Sequence, residues 1–262
     1  MPQRTVNGAT LNYQEQGSGT PLVLLHGFPL DSRIWREQVA GLSDRFRVIA
    51  PDLRGFGQSK SNDAFTMESL ADDVHALLGD LGAWPAIVGG LSMGGYVMLA
   101  YAKKYPTDLR GLMLIDTKAE GDTPEGKEGR QKMIELARSQ GAKAVADQMM
   151  PKMLAPDADK SRPQVKRELD QIMQGQTPLT IEHALSAMRD RSDSVANLPS
   201  IATPTLVIVG EHDAITPPAG AEKMSKAIPH ATYALIRGAG HMSPMEQPQQ
   251  VTDAIRRFAN SL

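Results

Sequence analysis

An α/β fold with a mostly parallel sheet is what this sequence predicts, on three observations. Unbroken apolar runs such as residues 21–25 and 204–209 read as strands buried on both faces. Stretches with apolar residues at helical spacing alternate with them. In residues 86–101 one such strand runs directly into a helix through a glycine-flanked serine.

Each element follows from local pattern. Residues 5–16 alternate as strands do, with Asn7-Gly8 as a hairpin turn between two short runs. The buried strand at 21–25 empties into the loop His26-Gly27-Phe28-Pro29-Leu30, and a helix follows over 34–42, starting near Asp31 or Ser32. Residues 46–50 form the next strand, ending in Pro51-Asp52-Leu53-Arg54-Gly55-Phe56-Gly57. A helix over 67–81 carries Leu70, Val74, Leu77, Leu78 and Leu81 at helical spacing. After Ser92 a helix begins near Gly94, and residues 111–115 are again a strand. Strands at 204–209 and 231–236, with helices at 218–228 and 248–260, close the chain.

The texture differs between Lys118 and Asn197, where no strand-like run occurs and helical patterns succeed one another at 129–138, 143–153, 162–173 and 180–189. We expect residues 118–197 to form an inserted helical lid on a core made of 1–117 and 198–262. Met133, Met149, Met150, Met153, Met173 and Met188 fall in it. Methionine fills irregular gaps, which suits either an adaptable pocket or an ordinary helical core.

Composition narrows the chemistry. Net charge of −2 gives no basic excess for nucleic acid, and the absence of cysteine excludes disulfides, thiolate metal sites and a cysteine nucleophile. The opening Met1-Pro2-Gln3-Arg4 lacks a signal-peptide pattern and no apolar run reaches membrane-spanning length, so a soluble cytoplasmic location without membrane partners is expected. Nothing fixes the oligomeric state, and a homo-oligomer is left open. No histidine pair has the spacing of a zinc site, and no metal or cofactor is expected.

Gly90-Leu91-Ser92-Met93-Gly94 fits the pattern of a nucleophile on a tight strand-to-helix turn, where glycines relieve backbone crowding. Alone it is an ordinary glycine-rich turn. A serine hydroxyl needs a base, and the base an orienting group. Asp213 and His241 each follow a late strand, on the sheet edge where such folds bind ligands. Asp116, after the strand 111–115, competes with Asp213 for the acid role. An oxyanion needs preorganised N–H donors, which the amides of Met93 and Phe28 would supply. Asp52 reads as a loop-bonding residue and His26 as a brace for the oxyanion loop. His75, His183 and His230 read as surface residues, and His212 has no partner in the pattern.

With these residues in place, the chain resembles the α/β-hydrolase superfamily, in the group of small bacterial serine carboxylesterases, enol-lactonases and cofactor-free perhydrolases. The likeness rests on five motifs in order: Leu24-Leu25-His26-Gly27-Phe28-Pro29, Pro51-Asp52-Leu53-Arg54-Gly55, Gly89-Gly90-Leu91-Ser92-Met93-Gly94-Gly95, Gly210-Glu211-His212-Asp213 and Gly240-His241. It implies an eight-stranded sheet. It also implies Ser92 as nucleophile, His241 as general base and acid, Asp213 as orienting acid, and Phe28 and Met93 as oxyanion donors. The expected reaction is hydrolysis of a small-molecule ester of short to medium acyl chain. Perhydrolysis, for which Pro29 beside the oxyanion donor argues, and enol-lactone or carbon–carbon bond hydrolysis are alternatives, as is a non-catalytic binding protein of this fold. A nucleotide-binding loop is disfavoured, because Gly95 and Tyr96 stand where a P-loop needs Lys and Ser or Thr.

Overall fold

A computed structural model describes residues 1–262, apart from the side chain of Asp159. Eight strands, β1 (Gln3–Val6), β2 (Ala9–Gln16), β3 (Thr20–Leu25), β4 (Phe46–Pro51), β5 (Ala86–Leu91), β6 (Leu109–Ile115), β7 (Thr205–Gly210) and β8 (Ala231–Ile236), form one sheet. Their order is β1-β2-β4-β3-β5-β6-β7-β8. β1 and β2 pair antiparallel, β2 joins β4 antiparallel, and every later pairing is parallel. All the parallel strands therefore point their carboxyl ends to one edge, and the loops after β3, β5, β6, β7 and β8 meet there.

Alternation along each central strand divides the core. Leu22 and Leu24 of β3, Ile87 and Leu91 of β5, and Leu206 and Ile208 of β7 face one layer. Val23 and Leu25, Ala86 and Val88, and Val207 and Val209 face the other. The first layer is closed by α1 (Arg36–Leu42) and, near the C-terminus, by the helix Pro248–Asn260, through Val39, Leu42, Val251, Ile255 and Phe258. The second is closed by α2 (Met67–Asp80) and α3 (Met93–Lys104), through Leu70, Val74, Leu77, Val97 and Met98. Each fully buried leucine or isoleucine contributes roughly 1.5–3 kcal/mol, which is why the strands are apolar on both faces.

Between β6 and β7 lie α4 (Pro124–Met153), α5 (Ala158–Ser161), α6 (Pro163–Gln174) and α7 (Pro178–Asp190). The two helical patterns expected at 129–138 and 143–153 are halves of α4, which breaks at Gly141 (φ 79°). Thr123 caps α4, its Oγ1 accepting the N–H of Gly126 at 3.2 Å, so the helix starts earlier than its apolar periodicity does. Met153, Met173 and Met188 are fully buried core residues, while Met133, Met149 and Met150 are half-buried. After β7 come α8 (Pro218–Ala227), the short α9 (Ser243–Glu246), which periodicity does not reveal, and the helix Pro248–Asn260, α10. Among the described residues no helix is long and apolar enough to cross a membrane.

One buried ion pair holds the loop after β4. Arg54 donates to both carboxylate oxygens of Asp73 on α2 at 2.7 Å, and also to Asn7 O in the β1–β2 turn at 3.0 Å. The Asp73 side chain is 1% exposed, so removing only the arginine strands a carboxylate in the interior. Arg54→Met is expected to cost about 3–5 kcal/mol in a urea titration, and Arg54→Met with Asp73→Leu to regain most of it. A single variant within about 1 kcal/mol of the parent would contradict this account.

Candidate active site

Ser92 is the single residue between β5 and α3, and it takes φ 52° and ψ −111°. A non-glycine residue there stores on the order of 1–3 kcal/mol of backbone strain, which the packing around it must hold. A Cβ on Gly90 would overlap the backbone of Gly94, and one on Gly94 would sit 2.7 Å from the carbonyl oxygens of Leu25 and His26. The strand, the helix and the loop after β3 thus touch backbone to backbone. The serine is pinned by its own amide, which donates to Ile115 O at 2.9 Å, and by its carbonyl, which accepts Thr117 Oγ1 at 2.8 Å. Its side chain stays partly accessible while both neighbours, Leu91 and Met93, are fully buried.

His241, after β8, directs Nδ1 to Asp213 Oδ2 at 2.8 Å, and both residues are buried. Asp213 Oδ1 also accepts the amides of Ile215 and Thr216 at 2.8 Å, and Oδ2 accepts Thr216 Oγ1 at 2.7 Å. Burial alone would raise the Asp213 pKa, but the facing imidazole and these donors outweigh it and hold the carboxyl below its ordinary value. A carboxylate against Nδ1 fixes the tautomer with the proton on that nitrogen, leaving the Nε2 lone pair free to take a proton. Burial opposes the imidazolium, yet Asp213 prevails and lifts the His241 pKa above 6.5.

Asp116, the competing acid, is placed elsewhere. It follows β6 at φ 45°, and its Oδ1 accepts the amide of Gly210 at 2.7 Å while Ser243 Oγ donates to Oδ2 at 2.5 Å. Complete burial, reinforced by the Asp213 charge, pushes its carboxyl up to about 8. It braces β7 and the loop after β8 and makes no bond to His241. Through Thr117 on one side and Ser243 on the other, the stretch 116–117 also ties the serine turn to the histidine loop.

Phe28 and Met93 flank the serine. A Cβ on Gly27 would lie 3.2 Å from Ser92 Cβ, so the loop after β3 runs against the serine. Met93 opens α3, where the amide has no intrahelical acceptor. Among the described residues neither the Phe28 nor the Met93 amide donates to a protein acceptor. Nor does Ser92 Oγ form a hydrogen bond there, while His241 and Asp213 are already joined. Such bonds commonly tighten only when substrate binds.

The other histidines and Asp52 divide clearly. His26 is fully buried, placing Nδ1 on Gly27 O at 2.8 Å and accepting the Leu53 amide on Nε2 at 3.0 Å, and burial keeps its pKa low. Asp52 accepts the amides of Ser32 and Gln58, both at 2.8 Å. Both are loop braces. His212 and His230 are exposed. His75 departs from the surface reading. It is stacked between Tyr105 (3.7 Å) and Trp84 (4.6 Å), with Nδ1 on Asp108 at 2.8 Å. His183 also departs from it, being half-buried edge-on to Phe65 at 6.1 Å. Helical position alone does not reveal which face a neighbour covers.

Two further residues escape sequence reading. Thr216 completes the Asp213 shell from three positions downstream. Arg191 donates to Met188 O at 2.6 Å and Glu120 O at 2.7 Å, pairs with Asp122 at 2.9 Å, and lies 4.0 Å over the ring of Tyr96. It pins the end of α7 to α3. A cavity of about 330 Å³ beside Tyr96, lined by Leu99, Lys103 and Asn197 among others, includes none of Ser92, Asp213 and His241.

The chain matches the alpha/beta hydrolase fold family over residues 20–248, and it belongs to that family of hydrolases. It is 30% identical to the AB hydrolase superfamily protein YisY of Bacillus subtilis, over 98% of each chain. Among solved structures, a thermophilic esterase from Thermogutta terrifontis is 42% identical, with TM-score 0.95 over 99% of this chain and 96% of that one. An enol-lactonase from Burkholderia xenovorans is 30% identical, with TM-score 0.92 over 99% and 100%.

The geometry gives the two carboxylates different partners. Asp213→Asn should lower kcat on the order of 10⁴-fold by turning the imidazole to the wrong tautomer. Asp116→Asn replaces a carboxyl that burial already biases toward its neutral form and that makes no bond to His241, and should keep kcat within about threefold. Kinetics of the two purified variants on one ester decide it, and the reverse ranking would hand the acid role to Asp116.

Proposed function

We propose that this protein is a serine esterase that hydrolyses carboxylic esters of short to medium acyl chain. The observation that carries the reading is the buried Nδ1 bond of His241 to Asp213, at the same sheet edge as a serine on a strained strand-to-helix turn. His241 Nε2 takes the proton of Ser92 Oγ as that oxygen attacks the ester carbonyl. The amides of Phe28 and Met93 receive the developing oxyanion, each donor contributing about 3 kcal/mol to the transition state. Protonated His241 gives its proton to the departing alcohol, and water then repeats the sequence on the acyl-enzyme. Residues 118–197 act as the lid that shapes the acyl site. The Thermogutta terrifontis esterase supports this reading by its likeness along nearly the whole chain.

A second substrate class within the same chemistry is an enol-lactone, favoured by the likeness to the Burkholderia xenovorans enol-lactonase. A lactone is a cyclic ester, so the same serine would open it and keep both product ends on one molecule.

Nitrophenyl esters of increasing acyl length, with an unsaturated lactone alongside, test the reading and rank the substrates. Ser92→Ala should abolish turnover, and a serine-directed phosphonate should label the parent at Ser92. Activity surviving in Ser92→Ala would end the proposal. Because His241 must be neutral to act as base, kcat/KM should fall as pH drops through its pKa, with the half-point above 6.5. A rate flat down to about pH 4 would exclude His241 as the base.

A further inference from the structure

Glu246 ends α9 as a carboxylate only 3% exposed, in a position that ester chemistry does not require. Its Oε1 accepts the amide of Gly240 at 2.7 Å, and its Oε2 accepts the amide of Ala155 at 2.8 Å. Arg162 Nη1 stands 3.5 Å from Oε2. Gly240 immediately precedes His241, whereas Ala155 lies just beyond α4 in the helical segment between β6 and β7. On the other side of His241, the amide of Met242 donates to Met153 O at 3.1 Å. Both neighbours of the histidine are therefore bonded to residues 153–155, one directly and one through Glu246.

The contact is close as well as polar. A Cβ on Gly240 would lie 2.5 Å from Ala155 N and from the Leu154 carbonyl carbon, so the two backbones touch. The core side of the loop is equally occupied, with the His212 amide donating to Ala239 O at 2.8 Å and Gly210 packed on Gly240 O. The histidine loop is thus clamped between the end of β7 and the helical segment. A buried carboxylate accepting one N–H from each side is the piece that joins them, and without it both amides would be left unpaired in the interior.

We infer that Glu246 is a positioning residue that makes seating of the helical segment and alignment of His241 a single event. The inference rests on the proposed role of His241 as base, because the consequence claimed is catalytic. When residues 153–155 are in place, Glu246 holds Gly240 and hence the imidazole against Asp213. When they lift away, the histidine loop loses one wall and two hydrogen bonds. The helical segment would then report its seating to the base, and Nε2 would be in register only while residues 153–155 are seated.

The test uses three variants of the full chain. Ala155→Pro removes that N–H donor and sets a ring methylene in the path of its bond to Glu246 Oε2, breaking the clamp from the segment's side with the triad residues unchanged, and the extended backbone of Leu154 (φ −117°, ψ 159°) suits a residue before proline. Glu246→Ala removes both acceptors, and Glu246→Gln restores one. kcat, and with it the rate of phosphonate labelling of Ser92, should fall about 10-fold in Ala155→Pro and about 100-fold in Glu246→Ala. Glu246→Gln should fall between them, and KM should move less than about threefold throughout. Cleavage by trypsin at Lys152 or Lys160 should accelerate in the same order, and the Nδ1 proton resonance of His241 should weaken in step. Unchanged labelling in Ala155→Pro and Glu246→Ala, with both folded by circular dichroism, overturns the inference. So does a loss of rate with the proton resonance intact. If His241→Ala retains the parent's activity, the catalytic reading fails instead. Trypsin and the resonance still report whether Glu246 clamps the loop.

Discussion

Ser92 sits at positive φ because it is the single residue between β5 and α3, and much of the molecule is arranged to keep it there. The turn survives only where backbone approaches backbone, so the residues on either side have no room for a Cβ at Gly90 or Gly94. The adjacent strands must also be fixed in register, because Ile115 O and Thr117 Oγ1 hold the serine's own peptide groups. Strain concentrated in one residue is affordable when the surrounding core over-determines it. Here that core is two-sided, with β3, β5, β6 and β7 buried on both faces.

Three buried carboxylates share the edge beyond the strands, and their surroundings give them different work. Asp213 faces an imidazole and collects backbone and hydroxyl donors, so it stays ionised. Asp116 is completely buried beside the Asp213 charge, which raises its pKa although one amide and one hydroxyl bond to it. Glu246 has two amides and a distant guanidinium, and burial still raises its pKa. Environments that push like groups apart give neighbouring carboxyls on one edge different proton affinities.

Strand positions, the serine turn and the order of the late loops were legible because each is written in contiguous residues. Apolar runs buried on both faces have a local signature, and so does a glycine-crowded turn. The choice between Asp116 and Asp213 was less secure, since both follow a strand onto the same edge. Loop geometry, which sets Asp213 and not Asp116 against His241, is what separates them. Glu246 and Arg191 were not legible at all. Their roles come from bonds to Ala155 and Glu120, which stand far away in sequence. His75 was misjudged for a similar reason, because its cover comes from Trp84 and Tyr105 on other elements.

The placement of the helical segment has a consequence for descent. α4 to α7 enter after β6 and leave before β7 as one uninterrupted stretch, so in principle a relative could exchange the whole stretch and acquire another substrate. The core, however, reaches up to that stretch at Ala155 through a buried acid and at Tyr96 through a stacked guanidinium. A transplanted segment would need to present a free amide and an arginine at those two docking points. Modularity in this architecture is therefore conditional, and recombination is restricted to segments that carry the fittings.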